Sequence, residues 1–253
     1  MMRALWTAAT GMVAQQTNID TISNNLSNVN TTGFKKMRVE FEDLLYQTIR
    51  SAGSSSYQGG VLPTGLQVGH GVRTAASTKI FTQGDFQQTD NSLDMVIEGN
   101  GFFQIQQPDG TTAYTRSGAF KMDGEGRVVS SEGYLLQPEI TIPEGTTEIS
   151  IGSDGTVSVM ISGETTAQEV GSIELAVFTN QSGLRNLGKG LYEQTEASGE
   201  AIITTPGLDG SGTLIQNYLE MSNVKLVEEM VNMIVAQRAY DTNSKAIQAA
   251  DEM

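Results

Sequence analysis

The stretch LWTAATGMVAQQTNIDTISNNLSNV, residues 5–29, carries apolar side chains at a regular spacing of seven residues. One row consists of Leu5, Met12, Ile19 and Leu26, and a companion row consists of Ala8, Ile22 and Val29. Two such rows form one face of an α-helix, and a face of this kind packs against a partner helix. The pattern therefore predicts a helix over residues 3–29, about 40 Å long at ~1.5 Å per residue.

The end of the chain repeats this pattern. A second row with the same spacing consists of Leu226, Met233, Tyr240 and Ile247, and it is widened by Val227, Met230, Val231 and Ile234. We expect this helix to begin near Ser222, whose hydroxyl suits the N-cap position. An apolar stripe on a surface helix needs a partner, so both ends should pack together and against neighbouring molecules.

The middle of the sequence is typical of β-strands and tight turns. Alternating apolar runs predict strands at 95–97, 102–106, 127–130, 149–151, 157–161, 173–178 and 202–204. Asx–Gly pairs, which favour hairpins because both turn positions tolerate positive φ, occur at Asn100–Gly101, Asp109–Gly110, Asp123–Gly124 and Asp154–Gly155. The predicted fold class is therefore α+β, with paired long N- and C-terminal helices forming a coiled-coil layer beside a mainly antiparallel β domain.

The pattern of helices, linker and strands divides the chain into three parts. Residues 51–71 are rich in Ser, Gly and Gln, which is typical of a flexible linker or a long surface loop. We expect a helical coiled-coil domain formed by residues 1–31 plus 219–253, an extended linking segment at 32–71, and a β-rich domain at 72–218.

Charge and cysteine content exclude several classes of protein. Residues 51–218 hold seven Lys/Arg and nineteen Asp/Glu, so most of the formal charge of −14 lies in the middle of the chain. An acidic middle opposes nonspecific binding of nucleic acid, and the near-neutral ends can approach one another without strong repulsion. The absence of cysteine excludes disulfides and thiolate chemistry. No run approaches the roughly 18 apolar residues of a membrane span, so we expect no direct membrane insertion.

Enzyme signatures are incomplete wherever the sequence suggests them. The stretch GLRNLGKG, residues 183–190, lacks the final Ser or Thr that a phosphate-binding loop uses to hold magnesium, and a strand-like run follows it instead of a helix. His70 is the only histidine, which is too little for a metal site or a catalytic triad. We therefore predict no catalytic residue, cofactor or metal. A secreted β-domain enzyme with a carboxylate pair, or a surface-binding adhesin, stays open as an alternative class.

Three motifs resemble the bacterial flagellar rod and hook family. The signature stretch is NNLSNVNTTGFK, residues 24–35. Its C-terminal counterpart is similar to QRAY, residues 237–240, with Asn243, Lys245, Ile247 and Asp251. The family's central motif resembles LDMVIEGNGFF, residues 93–103. Within the family, FEDLLYQ at 41–47 and LPTGLQVG at 62–69 are most similar to the distal-rod branch.

The resemblance implies a structural subunit that polymerises helically into the rigid drive shaft carrying torque from motor to hook. A proximal rod or hook subunit is the alternative within the family. Its implied partners are further copies of itself, proximal rod proteins, the hook protein, the periplasmic and outer-membrane ring proteins, and the flagellar type III export apparatus. Its implied location is the basal body, in a rod that spans the periplasm to the outer membrane, after export without a cleaved signal peptide. Family members usually continue slightly beyond Met253.

The resemblance also implies which residues form the assembly interface. In the N-terminal helix and signature they are Leu5, Met12, Ile19, Ile22, Asn25, Leu26, Asn28, Val29, Gly33 and Phe34. In the C-terminal helix they are Leu226, Val227, Met230, Met233, Ile234, Gln237, Arg238, Tyr240, Asn243 and Ile247. Residues expected to brace one subunit against the next are Phe41, Leu44, Leu45, Tyr46, Leu62, Gly65 and Leu66. In such a tube the paired helices would form the inner layer and the β domain the outer wall.

Overall fold

The computed structural model describes residues 2–53, 63–163 and 166–252. Leu62, one of the residues expected to brace neighbouring subunits, lies outside the described residues. The chain forms two compact units. The helical unit comprises Met1–Ser27, Met37–Lys79 and Lys225–Met253, and the β unit comprises Asn28–Lys36 and Ile80–Val224. Residues 37–79 thus share a unit with the two helices, whereas the sequence-based division set 32–71 apart.

Among its described residues, the helical unit contains two long helices and four strands. The helices are α1 (Met2–Ser27) and α2 (Leu226–Asp251), and the strands are β1 (Met37–Asp43), β2 (Tyr46–Arg50), β3 (Leu66–Gly69) and β4 (Val72–Lys79). Helix α2 begins later than expected: Lys225 occupies the N-cap position, and the Ser222 hydroxyl instead accepts a hydrogen bond from the Val224 amide at 3.3 Å.

The two helices contact each other in antiparallel orientation. Near one end the Asn25 amide nitrogen donates to a Glu229 carboxylate oxygen at 3.3 Å. Near the other end Gly11 lies against Asn243, and a Cβ at Gly11 would come within 2.9 Å of that side chain. The small Gly11 thus leaves room for the Asn243 side chain between the two helices.

Asn25 also connects α1 to the first strand. Its side-chain amide donates to the Met37 carbonyl at 2.8 Å, and its side-chain oxygen accepts from the Met37 amide at 2.9 Å. Strand β1 then pairs with β4, and β2 pairs with β3, both antiparallel. Helix α1 consequently packs against α2 and against the β1–β4 pair.

The β unit contains sixteen described strands. They are β5 (Phe86–Gln88), β6 (Met95–Glu98), β7 (Phe102–Gln106), β8 (Thr112–Thr115), β9 (Phe120–Met122), β10 (Val128–Ser130), β11 (Leu135–Gln137), β12 (Thr146–Ile151), β13 (Thr156–Ile161), β14 (Gln168–Ser172), β15 (Leu175–Val177), β16 (Arg185–Gly188), β17 (Leu191–Glu193), β18 (Ile202–Thr204), β19 (Thr213–Gln216) and β20 (Tyr218–Glu220). Nine of them form one antiparallel sheet in which β7 contacts β8, β11 and β15. The remaining strands form a three-stranded sheet, β12–β13–β14, and the pairs β6–β19 and β5–β20.

Apolar side chains fill the interior of this unit. Phe103, Ile105 and Leu175 are completely buried at the centre of the main cluster. A second cluster consists of aromatic rings, in which Phe102 contacts Phe178 and Tyr192 edge to face with centroids 5.7 Å apart. Strand β7 supplies both clusters, because its successive side chains point to opposite faces of the sheet.

Three of the four predicted Asx–Gly turns close hairpins, and one does not. Asp109–Gly110 joins β7 to β8, Asp123–Gly124 joins β9 to β10, and Asp154–Gly155 joins β12 to β13. The prediction for Asn100–Gly101 is wrong, because β6 pairs with β19 and not with β7. The stretch that resembles a phosphate-binding loop forms the β16–β17 hairpin.

The guanidinium of Arg116 explains the open turn at Asn100–Gly101. It donates to the Ile97 carbonyl at 3.0 Å and to the Gly101 carbonyl at 2.6 Å, and it also binds the Gly99 carbonyl. Because these backbone carbonyls accept hydrogen bonds from the guanidinium, they are not available to pair β6 with β7 as a hairpin.

The segment Asn28–Lys36 binds into the β unit through its backbone. The Gly33 amide donates to the Glu220 carbonyl at 2.8 Å, and the Lys36 amide donates to the Asn223 side-chain oxygen at 2.7 Å. Gly33 has a φ of +68°, and a Cβ there would lie 2.7 Å from the Ser117 backbone nitrogen. This part of the family signature therefore stabilises the β unit of its own chain.

A buried cluster of three charged groups lies beneath this segment. The Lys35 ammonium donates to one Glu220 oxygen at 2.6 Å, and the Arg116 Nε donates to the other at 2.7 Å. The three side chains are at most 6% exposed. Burial alone would raise the pKa of the Glu220 carboxyl, but the positive charges of Arg116 and Lys35 outweigh burial and hold that pKa below its usual 4.5.

We predict that Glu220→Gln lowers the free energy of unfolding by about 3–5 kcal/mol at pH 7, because it leaves Lys35 and Arg116 buried without a counter-charge. The stabilisation by the carboxylate is complete above pH 4.5 and is lost as the pH falls through the lowered pKa. Urea unfolding between pH 7 and pH 3 should therefore show a shallower pH dependence in the variant. The exposed Glu169→Gln is the control, and equal effects of both substitutions would contradict the prediction.

We predict that Gly33→Ala destabilises the β unit by more than Gly110→Ala. Both glycines have positive φ, +68° and +83°, so each alanine should cost about 1–2 kcal/mol of backbone strain. Only Gly33 faces backbone atoms within 3 Å, whereas Gly110 faces open space. Thermal unfolding of the two variants measures the difference, and identical melting temperatures would refute the role of close packing at Gly33.

Candidate assembly interface

The exposed large apolar side chains of the helical unit concentrate on three surfaces. The first is one face of α2, which we call the outer stripe. It consists of Val227, Met230, Val231, Ile234 and Val235, whose exposure ranges from 48% to 72%. This spacing places them on one side of the helix over its first three turns.

The opposite face of α2 packs against α1. Its buried or half-buried side chains are Glu229, Met233, Ala236, Tyr240, Asn243 and Ile247. Three of the four residues in the predicted row lie on this face, whereas Leu226, at the helix start, is 46% exposed. Helix α2 thus carries apolar residues on two opposite faces, and only one of them is covered within the chain.

Helix α1 is covered on two sides. Ala8, Ala14 and Ile22 are buried, and the predicted Leu5, Met12, Ile19 and Leu26 are half-buried. Trp6 and Val13, in contrast, are 63% and 67% exposed, although they were not among the predicted interface residues. Their separation of seven residues repeats the spacing of the predicted row, and this is the sequence signal that could have identified them.

The second surface is a hollow beside α1, which we call the α1 groove. Its volume is about 360 Å³, and its lining is largely apolar. The lining residues are Trp6, Ala9, Thr10, Val13, Ala14, Leu44, Val72, Arg73 and Thr74. A shallower depression continues from Trp6 and Ala9 past Arg3, Leu5 and His70. His70 therefore lies beside an apolar surface.

The third surface is formed by the β2–β3 pair and its neighbours. Leu45 is 88% exposed, and Tyr46, Ile49 and Leu66 are about half exposed. Phe41 is 40% exposed, and Leu44 is half-buried. Gly65 lies close to β2, because a Cβ added at this position would come within 2.8 Å of the Arg50 carbonyl oxygen. The residues expected to brace neighbouring subunits therefore include several apolar side chains that have no cover in this unit.

Other predicted interface residues lie inside the units. Asn25 and Gly33 are buried and form the contacts described above. Asn28, Val29 and Phe34 are half-buried in the β unit. On α2, Gln237 and Arg238 are exposed. The family signature thus combines residues that fix the fold with residues that stay available to a partner.

A polar hollow of about 510 Å³ contains carboxylates from Asp123, Glu125, Glu144 and Glu148. The pKa of Asp123 is lowered, first by the Gly124 amide and then by Arg127, which is the opposite of what a general acid requires. Among residues 2–53, 63–163 and 166–252, no three His, Asp or Glu side chains form a group that could hold a metal ion.

Neither helix is suited to crossing a bilayer. Within the residues that the structure describes, no helix combines the length and the apolar content that a membrane span needs.

Comparison with known proteins gives consistent matches along the chain. Residues 5–35 match the family described as flagella basal body rod protein, and residues 96–159 match the flagellar hook protein FlgE/F/G D1 domain. Residues 215–253 match the flagellar basal body rod FlgEFG protein C-terminal family. The first and last matches include most of α1 and all of α2.

Several relatives match over the whole chain, among them two from Borreliella and Buchnera. The flagellar basal-body rod protein FlgG of Borreliella burgdorferi is 54% identical over 255 residues, which cover 100% of this chain and 96% of the relative. The protein of the same name from Buchnera aphidicola subsp. Schizaphis graminum is 52% identical, with 100% and 97% covered.

A hook protein matches only in part. The flagellar hook protein FlgE of Helicobacter mustelae is 43% identical over 139 residues, which cover 54% of this chain and 30% of the hook protein. The full-length similarity is thus to rod proteins. The chain belongs to the FlgG family of flagellar basal-body rod proteins, which are structural proteins and not enzymes.

Proposed function

We propose that this chain is a subunit of the distal flagellar rod that polymerises through its helical unit into a rigid, torque-transmitting shaft. The single observation that supports this most directly is the outer stripe of α2, which stays exposed after α1 and α2 have packed together. Large exposed apolar surfaces on soluble domains are typical of interaction sites.

The free energy gained by burying the outer stripe favours assembly. The five side chains of the outer stripe are each about half exposed or more. Covering them would contribute on the order of 1 kcal/mol each, or about 5 kcal/mol per contact before the cost of association is subtracted. In a polymer each copy makes such contacts on more than one side, so modest contacts suffice to hold a filament together.

The proposed coiled-coil layer follows from the same surfaces. The contact between α1 and α2 uses a spacing of three and four residues, as in coiled coils. The outer stripe would extend this packing to a neighbouring copy. The acidic β unit would stay solvated, because the negative charge that dominates residues 51–218 disfavours close packing with like-charged copies.

The exposed β2–β3 surface fits the proposed bracing role. Leu45, Tyr46 and Leu66 would contact a neighbouring copy and resist sliding between subunits. Gln237 and Arg238, which are exposed on α2, would supply polar contacts at the rim. For the assembled shaft, we propose domain boundaries at residues 31, 71 and 218.

Family membership implies assembly with other flagellar rod and hook proteins in the basal body. We extend this to contacts with the ring proteins and the type III export apparatus, a location across the periplasm, and export without a cleaved signal. The extent of the sequence matches favours a distal rod subunit over a hook subunit. The relatives named FlgG match along nearly their whole length, whereas the hook protein matches over less than a third of its own.

We predict that Val231→Glu and Ile234→Glu each abolish polymerisation and leave the stability of the subunit nearly unchanged. Both side chains are more than half exposed, so a charge there costs little in the single chain and much in a buried contact. Electron microscopy and sedimentation measure assembly, and thermal unfolding measures stability. Met160→Glu, an exposed site in the β unit, is the control; normal rods from both α2 variants would refute the proposal.

We predict that Leu45→Ser combined with Leu66→Ser permits assembly but yields curved rods. Both side chains are exposed on the proposed bracing surface, so their loss should weaken contacts that limit sliding without disturbing the fold. Negative-stain microscopy of isolated rods measures curvature, with Leu187→Ser, an exposed residue of the β unit, as the control. Straight rods from the double variant would count against a bracing role.

A further inference from the structure

We propose that the outer stripe of α2 in one copy inserts into the α1 groove of the next copy. This inference rests on the proposed function and names the two surfaces that make its contact. Both surfaces belong to the helical unit, and both are apolar and exposed.

The stripe cannot fill the groove of its own chain. Gly11 and Asn25 mark the face of α1 that contacts α2, whereas Trp6, Ala9 and Val13 on another side of α1 line the groove. The outer stripe lies on the face of α2 that points away from α1. The described residues of the chain therefore leave both surfaces exposed at the same time, and a second copy could cover each of them.

The outer stripe has the residue spacing of a helix that docks into a groove. Val227, Met230, Val231 and Ile234 follow the spacing i, i+3, i+4 and i+7, by which an amphipathic helix docks its apolar side into a groove. The groove offers one wall from α1, with Trp6 and Val13, and another from Leu44 and Val72. The small side chains of Ala9 and Ala14 in the lining leave space for the side chains of an incoming helix.

Charge at the rims also favours this pairing. The charged residues lining the groove and its continuation are Arg3 and Arg73, both basic. The first turn of α2 is acidic, with Glu228 exposed beside Val227. Arg73 already contacts Glu42 on the neighbouring strand, which leaves Arg3 as the main basic group for an incoming acidic side chain.

Contact between two different surfaces has a consequence for symmetry. If one stripe packed against another stripe, the contact would close on itself as a two-fold dimer. A stripe in a groove leaves a free groove at one end and a free stripe at the other, so copies can keep adding wherever the rotation between them does not close a ring. This is the type of contact that a filament requires.

Cysteine substitution tests the pairing directly, because the native chain contains no cysteine. Val13→Cys places a thiol in the groove, and Val231→Cys places one on the stripe. Both positions are exposed, at 67% and 53%, so neither substitution should disturb the fold. Full-length copies of each variant are assembled separately and as a mixture, oxidised, and separated by denaturing gel electrophoresis.

We expect disulfide-linked dimers only in the mixture, and a ladder of higher multimers from the chain that carries both cysteines. A mixture of Val13→Cys with Met160→Cys should give no dimers, since residue 160 lies in the β unit. Dimers from Val231→Cys alone would show that stripes pair with each other and would overturn the inference. Rods that form without any cross-link in the mixture would also overturn it and leave the proposed function standing. If the wild-type chain formed no rods, the proposed function itself would fail.

Discussion

A helix with apolar side chains on two opposite faces cannot bury both of them against one neighbour. Helix α2 is in this situation, because Met233, Tyr240 and Ile247 pack towards α1 while Val227, Val231 and Val235 stay exposed. The cost of leaving that second face in water is modest for a single copy, but it recurs in every copy. In the assembly that we propose, polymerisation would remove this cost, so the same helix that completes the fold would also drive association.

Three buried residues of the signature stretch serve the fold of their own chain. Asn25 holds the start of β1, Gly33 permits the close approach to Ser117, and Lys35 neutralises a buried carboxylate. None of these groups is available to another molecule. A motif associated with assembly therefore acts largely by shaping each subunit, and in the proposed assembly the exposed apolar residues outside it would make the contacts.

Local patterns predicted the parts of the fold that depend on local rules. The heptad spacing predicted α1 and α2 to within a few residues, and the turn chemistry predicted three hairpins. The turn at Asn100–Gly101 was wrong because Arg116, fifteen residues away or more, binds its carbonyls. Strands β1 to β4 were not predicted, since their partners are set by pairing across a long connection. Trp6 and Val13 were missed because they lie outside the two apolar rows that begin at Leu5 and Ala8.

The buried ion pair between Lys35 and Glu220 joins residues 185 positions apart, and the contact between Asn25 and Glu229 spans 204. Neither unit can complete these contacts until nearly the entire polypeptide is present. Folding of such a chain is slow to begin and finishes only when its final segment arrives. The outer stripe lies on that final segment, so a chain that still lacks its last helix has no such stripe to offer a neighbouring copy.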